Sequence, residues 1–352
     1  MRILHVITSL LTGGAEKLIV DIVPRLREKG HVVDVVVFNG IETPFLKELR
    51  KNKDVKIFLL GKSFYDVRYI LKLRRIIKEY DIVHTHNSSP QLYAVLANLG
   101  LHKRLVTTEH NTTNRKRNKI FLRIMDKWMY KRYSQIICIS DKAAENLKEY
   151  LGCSERIRVI YNGVNVERFH NAQPIVGMKS SRFVGLMVAA FRPQKDQDTL
   201  VRAISRLAKD KYEVWFAGEG TRMKEVQNLV EKLGVSDQVT FLGNRTDIPE
   251  LLKTADVIVM STHYEGLSLA NIEGMSTGKP FVASDVDGVH EITDGYGILF
   301  PHEDELSLSN LLERLLEDPA YYNEVAGKCY ERAKYYDLAV MVDNYCKVYE
   351  SV

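Results

Sequence analysis

Two glutamates eight residues apart carry the sharpest chemical signal in this sequence. They stand in the segment His263-Tyr264-Glu265-Gly266-Leu267-Ser268-Leu269-Ala270-Asn271-Ile272-Glu273, which follows the apolar run Val257–Met260 and opens a predicted helix. Ser268 is a plausible N-cap there, which would leave the amides of Leu269, Ala270 and Asn271 unpaired and facing an anion. Ionised carboxylates only accept hydrogen bonds and hydroxyls donate them. Glu265 in the loop and Glu273 in the second helical turn therefore suit a diphosphate with sugar hydroxyls on one side and ribose hydroxyls on the other. Spacing alone leaves the plainer alternative open, a loop glutamate in solvent and a glutamate on a helix surface.

Three further constellations lie at strand ends. Thr12-Gly13-Gly14-Ala15-Glu16 is a strand-to-helix turn whose glycines admit a phosphate or a reacting sugar close to the backbone. In Ala189-Ala190-Phe191-Arg192-Pro193-Gln194-Lys195-Asp196, Arg192 and Lys195 stand where cations can neutralise a diphosphate leaving group. Thr107-Thr108-Glu109-His110-Asn111 closes a strand, with His84 and His86 at the end of an adjacent one. Neither G-x-G-x-x-G nor G-x-x-x-x-G-K-[ST] occurs, which speaks against a dinucleotide dehydrogenase and a P-loop ATPase. No G-x-S-x-G elbow is present, and no His, Cys, Asp or Glu cluster has metal-ligand spacing along the chain.

Such loops need strands to hold them. Short β-branched runs alternate with amphipathic stretches: strands at 2–8, 31–38, 55–59, 82–86, 104–108 and 135–139, with helices at 15–29, 44–51, 67–79, 91–99, 120–133 and 141–151. After turn chemistry at 161–165 and a polar segment at 171–181 the rhythm restarts. Strands are predicted at 183–190, 213–217, 239–242, 257–260, 281–283 and 297–300, and helices at 197–208, 221–233, 248–254, 268–277 and 305–315. The pattern predicts two doubly wound parallel sheets in tandem, an α/β protein that binds ligands outside the carboxyl ends of its strands, in a cleft between the two sheets. The expected domains are 1–168 and 169–337, with an amphipathic C-terminal helix at about 338–352 returning to the first.

Composition agrees with a globular chain of about two domains: 352 residues, 45% hydrophobic and 27% charged. Cys138, Cys153, Cys329 and Cys346 are too few and too scattered for a disulfide scaffold or a zinc ribbon. No window approaches 18 uninterrupted apolar residues and no A-x-A cleavage site follows Leu11, so a cytoplasmic protein is the expectation. The net charge of +5 conceals an asymmetry. Residues 1–168 hold 31 Lys and Arg against 17 Asp and Glu, a balance of +14, and the remainder holds 19 against 28, a balance of −9. The strongest run, Arg115 to Arg132, has eight basic residues and Asp126 as its single acid, interleaved with Phe121, Trp128 and Tyr130. Arg68, Lys72, Arg74, Arg75 and Lys78 form a second patch. Cationic amphipathic helices with aromatics suit an anionic membrane surface, so a peripheral contact through 115–132 is expected and a nucleic acid partner is not.

Taken together the motifs resemble those of the retaining GT-B glycosyltransferases, glycosyltransferase family 4. The resemblance rests on EGLSLANIEG from Glu265, on Gly13-Gly14-Ala15-Glu16, Asp81-Ile82-Val83-His84-Thr85-His86-Asn87-Ser88, Thr108-Glu109-His110 and Ile139-Ser140-Asp141. It continues through Val159-Ile160-Tyr161-Asn162-Gly163-Val164, Pro193-Gln194-Lys195, Ala217-Gly218-Glu219-Gly220, Phe241-Leu242-Gly243, Thr277-Gly278-Lys279-Pro280, Ala283-Ser284-Asp285 and Glu291, and so spans essentially the whole chain.

The resemblance implies a GT-B fold, two Rossmann-like domains facing a central cleft, and a donor-binding second half. It implies that Glu265 holds the donor sugar and Glu273 the ribose, and that amides at Gly266, Leu267, Ser268 and Leu269 cradle the phosphates. The backbone near Leu242 would hold the base, Gly13 and Gly14 would approach the diphosphate, His110 would contact the reacting sugar, and Lys195 matches a phosphate-binding lysine. The family places an arginine five residues before that lysine. Here the position is Ala190, and Arg192 stands to supply the charge instead. The implied reaction moves a hexose-type sugar, by front-face displacement with retention and without a metal or other cofactor, from a nucleotide donor, by analogy UDP. The acceptor would be a saccharide or lipid-linked saccharide for surface polysaccharides. Two alternatives stay open: a sugar-nucleotide 2-epimerase of the same architecture, and a catalytically inactive nucleotide-sugar-binding module.

Overall fold

A computed structural model describes residues 1–11, 13–110, 120–265 and 268–352, leaving the side chains of 120–122 outside the description. The chain forms two compact units, Met1–Asn162 with Leu338–Val352, and Gly163–Asp337.

The first unit carries β1 (Arg2–Ser9), β2 (Val32–Asn39), β3 (Ile57–Gly61), β4 (Ile82–His86), β5 (Arg104–Glu109), β6 (Gln135–Cys138) and β7 (Ile157–Val159). All pairings are parallel, in the order β3-β2-β1-β4-β5-β6-β7. Between the strands run α1 (Gly14–Glu28), α2 (Pro44–Arg50), α3 (Arg68–Ile77), α4 (Ser88–Asn98), α5 (Ile120–Tyr130) and α6 (Asp141–Leu151). Order reverses between β1 and β4, the point at which doubly wound sheets open to ligands. Strand β2, VVDVVVFN, is buried on both faces, as its unbroken apolar run requires. Its one acid, Asp34, is satisfied by the Tyr80 hydroxyl at 2.7 Å and the Lys56 amide at 2.8 Å.

The second unit begins with α7 (Val166–His170) and contains β8 (Phe183–Val188), β9 (Tyr212–Ala217), β10 (Val239–Phe241), β11 (Val257–Met260), β12 (Phe281–Ser284) and β13 (Ile298–Phe300). Their order is β10-β9-β8-β11-β12-β13, again parallel throughout. Its other helices are α8 (Gln197–Ile204), α9 (Met223–Leu233), α10 (Ile248–Thr254), α11 (Leu269–Ser276), α12 (His290–Thr293), α13 (Glu305–Glu317) and α14 (Pro319–Tyr335). The change-over between units lies between Asn162 and Gly163, where the sequence suggested Arg168. The reason is α7, which the turn chemistry hid and which packs on α10 and α11.

A final helix, α15 (Leu338–Glu350), belongs to the first unit and packs on α1. It buries Leu338, Met341, Val342, Tyr345, Val348 and Tyr349 in the core on the α1 face of the sheet. At roughly 1.5–3 kcal/mol for each fully buried large apolar side chain, that helix contributes on the scale of an ordinary domain's whole net stability. The opposite face of the sheet is covered by α3, α4, α5 and α6.

Candidate active site

In the second unit the loops after β8 and β11, neighbouring strands, are laced together. Lys195 and Thr262 form an antiparallel bridge, and the Thr262 hydroxyl donates to the Gln194 carbonyl at 2.9 Å. The His263 amide donates to the same carbonyl at 3.0 Å, and the Asp196 amide to the Ser261 carbonyl at 3.1 Å. This lacing sets Lys195 Nζ directly on Glu265 Oε1 in an ion pair whose side chains are 15% and 9% exposed. Gln194 Nε2 donates to Glu265 Oε2 at 3.3 Å, and the Thr262 hydroxyl, sharing its one proton with the Gln194 carbonyl, stands 3.3 Å from Oε1. Glu265 is thus held from three sides, and Lys195, with three donors, can keep it while donating to another oxygen.

Arg192 and Lys195 share one turn, the Lys195 amide donating to the Arg192 carbonyl at 2.9 Å. Arg192 is exposed, and Ala190 offers only backbone, its carbonyl accepting from the Arg192 amide. The glycines of the following strand's loop explain themselves by close approach: a Cβ at Gly218 would collide with the Ala189 carbonyl, and one at Gly220 with that of Phe191. Sequence reasoning missed Arg222. Its guanidinium donates to the Lys195 carbonyl at 3.2 Å while pairing with Asp198 at 2.9 Å and Glu225 at 3.0 Å. The only available signal was its place just after Gly218-Glu219-Gly220.

Helix α11 starts at Leu269 with Ser268 at the N-cap position, but the Ser268 side chain makes no capping bond. The Asn271 amide is not open, as the sequence suggested; it donates to the Ser268 carbonyl at 3.2 Å in a tightened first turn. Ser268 and Leu269 stay at the helix entrance, and Glu273 is half-buried in the second turn. Gly266 and Leu267 lie outside the described residues. The Leu242 amide is also committed, donating to the Phe216 carbonyl at 2.8 Å because it prolongs the β10–β9 ladder. The expectation concerned the backbone near Leu242, of which this takes up the one amide.

In the first unit, Gly13 is the N-cap of α1 in extended backbone. Glu16 folds back so closely that a Cβ at Gly13 would meet its carboxylate, whereas Gly14 faces open space. Burial raises the Glu16 carboxyl above its usual range. Thr12 lies outside the described residues. His110 follows β5, its Nε2 3.1 Å from His86 Nδ1, and burial lowers its pKa to about 4. It is therefore neutral at pH 7.

Two groups gather three potential metal-ligand atoms among the described residues, although sequence spacing showed none: His5, His84 and His86, buried, and His263, His302 and Glu303. The strand pairing β1–β4 creates the first and loop packing the second. Every ring nitrogen of the first group except His5 Nε2 is already engaged in a hydrogen bond.

The basic surfaces differ from expectation. Arg115, Lys116, Arg117 and Lys119 lie outside the described residues, as does the Phe121 side chain. Tyr130 is buried, donating to Glu109 at 2.6 Å, and Trp128 packs on the core beneath the Arg132 guanidinium, 3.9 Å from the ring. The inward turn of α5 toward the sheet thus removes Tyr130 from any membrane interface and leaves Trp128 partly buried. At α3 the opposite holds. Tyr65, Val67 and Leu71 are 72%, 75% and 66% exposed beside Arg68, Lys72 and Arg75.

The family model described as Glycosyltransferase Family 4 matches residues 12–168, and that described as Glycosyl transferases group 1 matches residues 169–335. The chain is 30% identical over 276 residues to the UDP-Gal:alpha-D-GlcNAc-diphosphoundecaprenol alpha-1,3-galactosyltransferase of Escherichia coli, covering 72% of this chain and 71% of that protein. It is 23% identical over 372 residues to a Campylobacter jejuni alpha-1,4-N-acetyl-D-galactosaminyltransferase that acts on a diNAcBac-PP-undecaprenol-linked saccharide, covering 100% and 99%. Among solved structures it resembles HepE of Anabaena in complex with UDP, with a TM-score of 0.84 at 20% identity over the whole of both chains.

Proposed function

The chain belongs to the glycosyltransferases of GT-B fold, and from that premise we propose that it is a retaining, metal-independent member of family 4. In this reading it transfers a hexose-type sugar from UDP to a lipid-linked saccharide in surface polysaccharide synthesis. The observation that carries the reading is the Lys195–Glu265 pair at the carboxyl ends of β8 and β11, beside the entrance of α11. A shielded cation next to a fixed carboxylate can bind a diphosphate and an adjoining sugar hydroxyl at once.

Each residue then has one task. Lys195, Arg192 and the amides at Ser268 and Leu269 neutralise the charge that grows on the departing UDP, a stabilisation worth a few kcal/mol for each well-placed donor. Glu265 accepts from hydroxyls of the donor sugar and Glu273 from the ribose. Gly14 lets the diphosphate approach backbone, and His110 meets the reacting sugar. The acceptor hydroxyl attacks the anomeric carbon on the face from which UDP leaves, and its proton passes to the donor phosphate. No carboxylate nucleophile is needed. Named relatives that use undecaprenol-linked acceptors support the acceptor class, and UDP bound to HepE supports the donor nucleotide.

Lipid-linked acceptors place the enzyme at a membrane. In this reading the cations of the 115–132 sequence and, separately, the exposed apolar residues and cations around α3 make the peripheral contact with anionic lipid. No helix among the described residues is long and apolar enough to cross a membrane.

The test is calorimetric titration with UDP and a panel of UDP-sugars, followed by product analysis with an undecaprenol-diphosphate saccharide. Transfer with retained anomeric configuration in the presence of EDTA is the expected result. Conversion of UDP-GlcNAc without acceptor would instead identify an epimerase, and binding without turnover an inactive module.

A further inference from the structure

One seam of titratable side chains in the first unit remains without a task. His5 on β1, His84 and His86 on β4, and Thr108 and His110 at the end of β5 occupy alternate positions of neighbouring strands and so share a face. His5 Nδ1 lies 3.0 Å from His86 Nε2, and His86 Nδ1 lies 3.1 Å from His110 Nε2. His84 stacks on His86 with ring centres 4.4 Å apart but bonds elsewhere, to the Tyr349 hydroxyl at 2.6 Å and to Thr108 at 2.8 Å. The hydrogen-bonded row is therefore three rings long. Its two outer nitrogens, His5 Nε2 and His110 Nδ1, are buried and have no hydrogen-bond partner among the described residues.

A neutral imidazole carries one N–H, and burial keeps these rings neutral, lowering His5 to about 3, His110 to about 4, and His86 well below its ordinary value. Two arrangements satisfy both links. With every proton on Nδ1, His5 donates to His86, His86 donates to His110, and His110 Nδ1–H points out of the row. With every proton on Nε2 the direction reverses, and an N–H is stranded at His5. Any mixture sets two lone pairs or two N–H groups against each other.

The two ends are not equivalent. His5 is fully buried inside the sheet–helix core, so an N–H stranded there stays unpaired whatever binds, and orphaned buried N–H groups are rarer than under-satisfied acceptors. His110 is only partly buried as a residue and follows the carboxyl end of β5, the edge at which doubly wound sheets take their ligands. Only the outward-donating arrangement lets a ligand remove the orphan donor.

We propose that His5 and His86 are positioning residues that hold His110 as the Nδ1–H tautomer, so that it presents a hydrogen-bond donor to a sugar or phosphate oxygen. This rests on the assignment of His110 to the reacting sugar. It assigns His110 the part of a neutral donor and rules it out as the base that deprotonates the acceptor hydroxyl, a choice made two rings away from the reaction.

The test reads the tautomer directly. Protein labelled with 15N in its histidine rings is examined by long-range 1H–15N correlation at pH 7.5, with and without UDP, and the His110 signals are assigned by their loss in His110→Phe. A protonated Nδ1 and unprotonated Nε2 are expected in the wild type. The reverse would overturn the proposal whether or not the protein transfers sugar, and a failure of transfer with Nδ1–H intact would count against the assigned reaction alone. Kinetics supply the second arm. His86→Leu should lower kcat about tenfold with UDP affinity unchanged. His86→Asn, whose amide nitrogen stands near the old Nδ1, should restore it to within about threefold. Wild-type kcat in a folded His86→Leu enzyme would also overturn the proposal.

Discussion

Lys195 and Glu265 come from the carboxyl ends of two adjacent strands, 70 residues apart in sequence, and meet in an ion pair that Gln194 and Thr262 brace. The pair neutralises two charges that would each be costly to shield from water alone. It also holds a cation at a fixed place before any ligand arrives, the preorganisation that makes electrostatic stabilisation effective.

Glu265→Gln keeps the shape and removes the charge. It should leave the UDP dissociation constant within about threefold while turnover falls roughly 10²-fold. Glu273→Ala, assigned to the ribose, should instead weaken UDP itself. Calorimetry and steady-state rates on both variants decide the matter, and the opposite pattern would interchange the two roles.

Arg192 is exposed and shares its turn with Lys195, while Ala190 carries no charge. Arg192→Ala should therefore reduce turnover about as severely as Lys195→Ala, by roughly 10²-fold. Ala190→Arg introduced beside Arg192→Ala should recover part of the loss. A fully active Arg192→Ala enzyme would remove Arg192 from the site.

Gly14 begins α1 with open space where a Cβ would stand, unlike Gly13. Gly14→Ala should fold normally, and helix propensity favours it by up to about 1 kcal/mol. Unchanged or raised Tm together with a loss of transfer of about tenfold or more would show that the backbone there is approached by substrate. Unchanged activity would free Gly14 from that part.

Burial depresses the buried histidines, His5 to about 3 and His110 to about 4, from an unfolded value of 6.5. Below 6.5 the unfolded chain binds protons that the native rings refuse, so their stabilisation is fully present above that pH. It is lost as pH falls toward the folded values, by about 1.4 kcal/mol per pH unit for each ring. Denaturant melts between pH 7.5 and 4.5 should show this decline, and His5→Phe should reduce its slope by one ring's share. Equal slopes in the two proteins would mean that His5 charges freely in the native state.

Co-sedimentation with anionic vesicles should weaken as salt rises, since polybasic attraction reaches only about a Debye length, roughly 8 Å at physiological salt. Replacing Arg68, Lys72 and Arg75 with Gln should reduce binding, and replacing Tyr65 and Leu71 with Ser should reduce the part that persists in high salt. Equal binding to anionic and zwitterionic vesicles would dismiss the charge argument.

The strands were legible because parallel, doubly covered strands such as β2 and β11 are largely apolar on both faces, and the glutamate pair was legible because its loop joins a strand to a helix. What escaped depended on distant partners. Helix α14 is polar around much of its circumference and gave no clear period. Helix α4 starts at Ser88, three residues before its apolar pattern, since Pro90 is tolerated in a first turn. The Lys195–Glu265 pair, the Arg222 clamp and the histidine row all arise from pairing between strands that no local window contains. Tyr130 carried the aromatic signature of an interface and turned out to serve Glu109 inside the unit.

Helix α15 completes the first unit's core, yet it follows the entire second unit in the chain. On the ribosome, then, the second unit emerges whole and can fold while the first still waits for Leu338, Met341, Tyr345 and Tyr349. Until they arrive, the α1 face of the first sheet has only α1 and α2 as cover, and the Tyr349 hydroxyl has not yet closed on His84. Biosynthesis of this enzyme is thus ordered against the direction of translation: its earliest residues are the last to be sealed, and chaperone engagement should concentrate on the interval between the two.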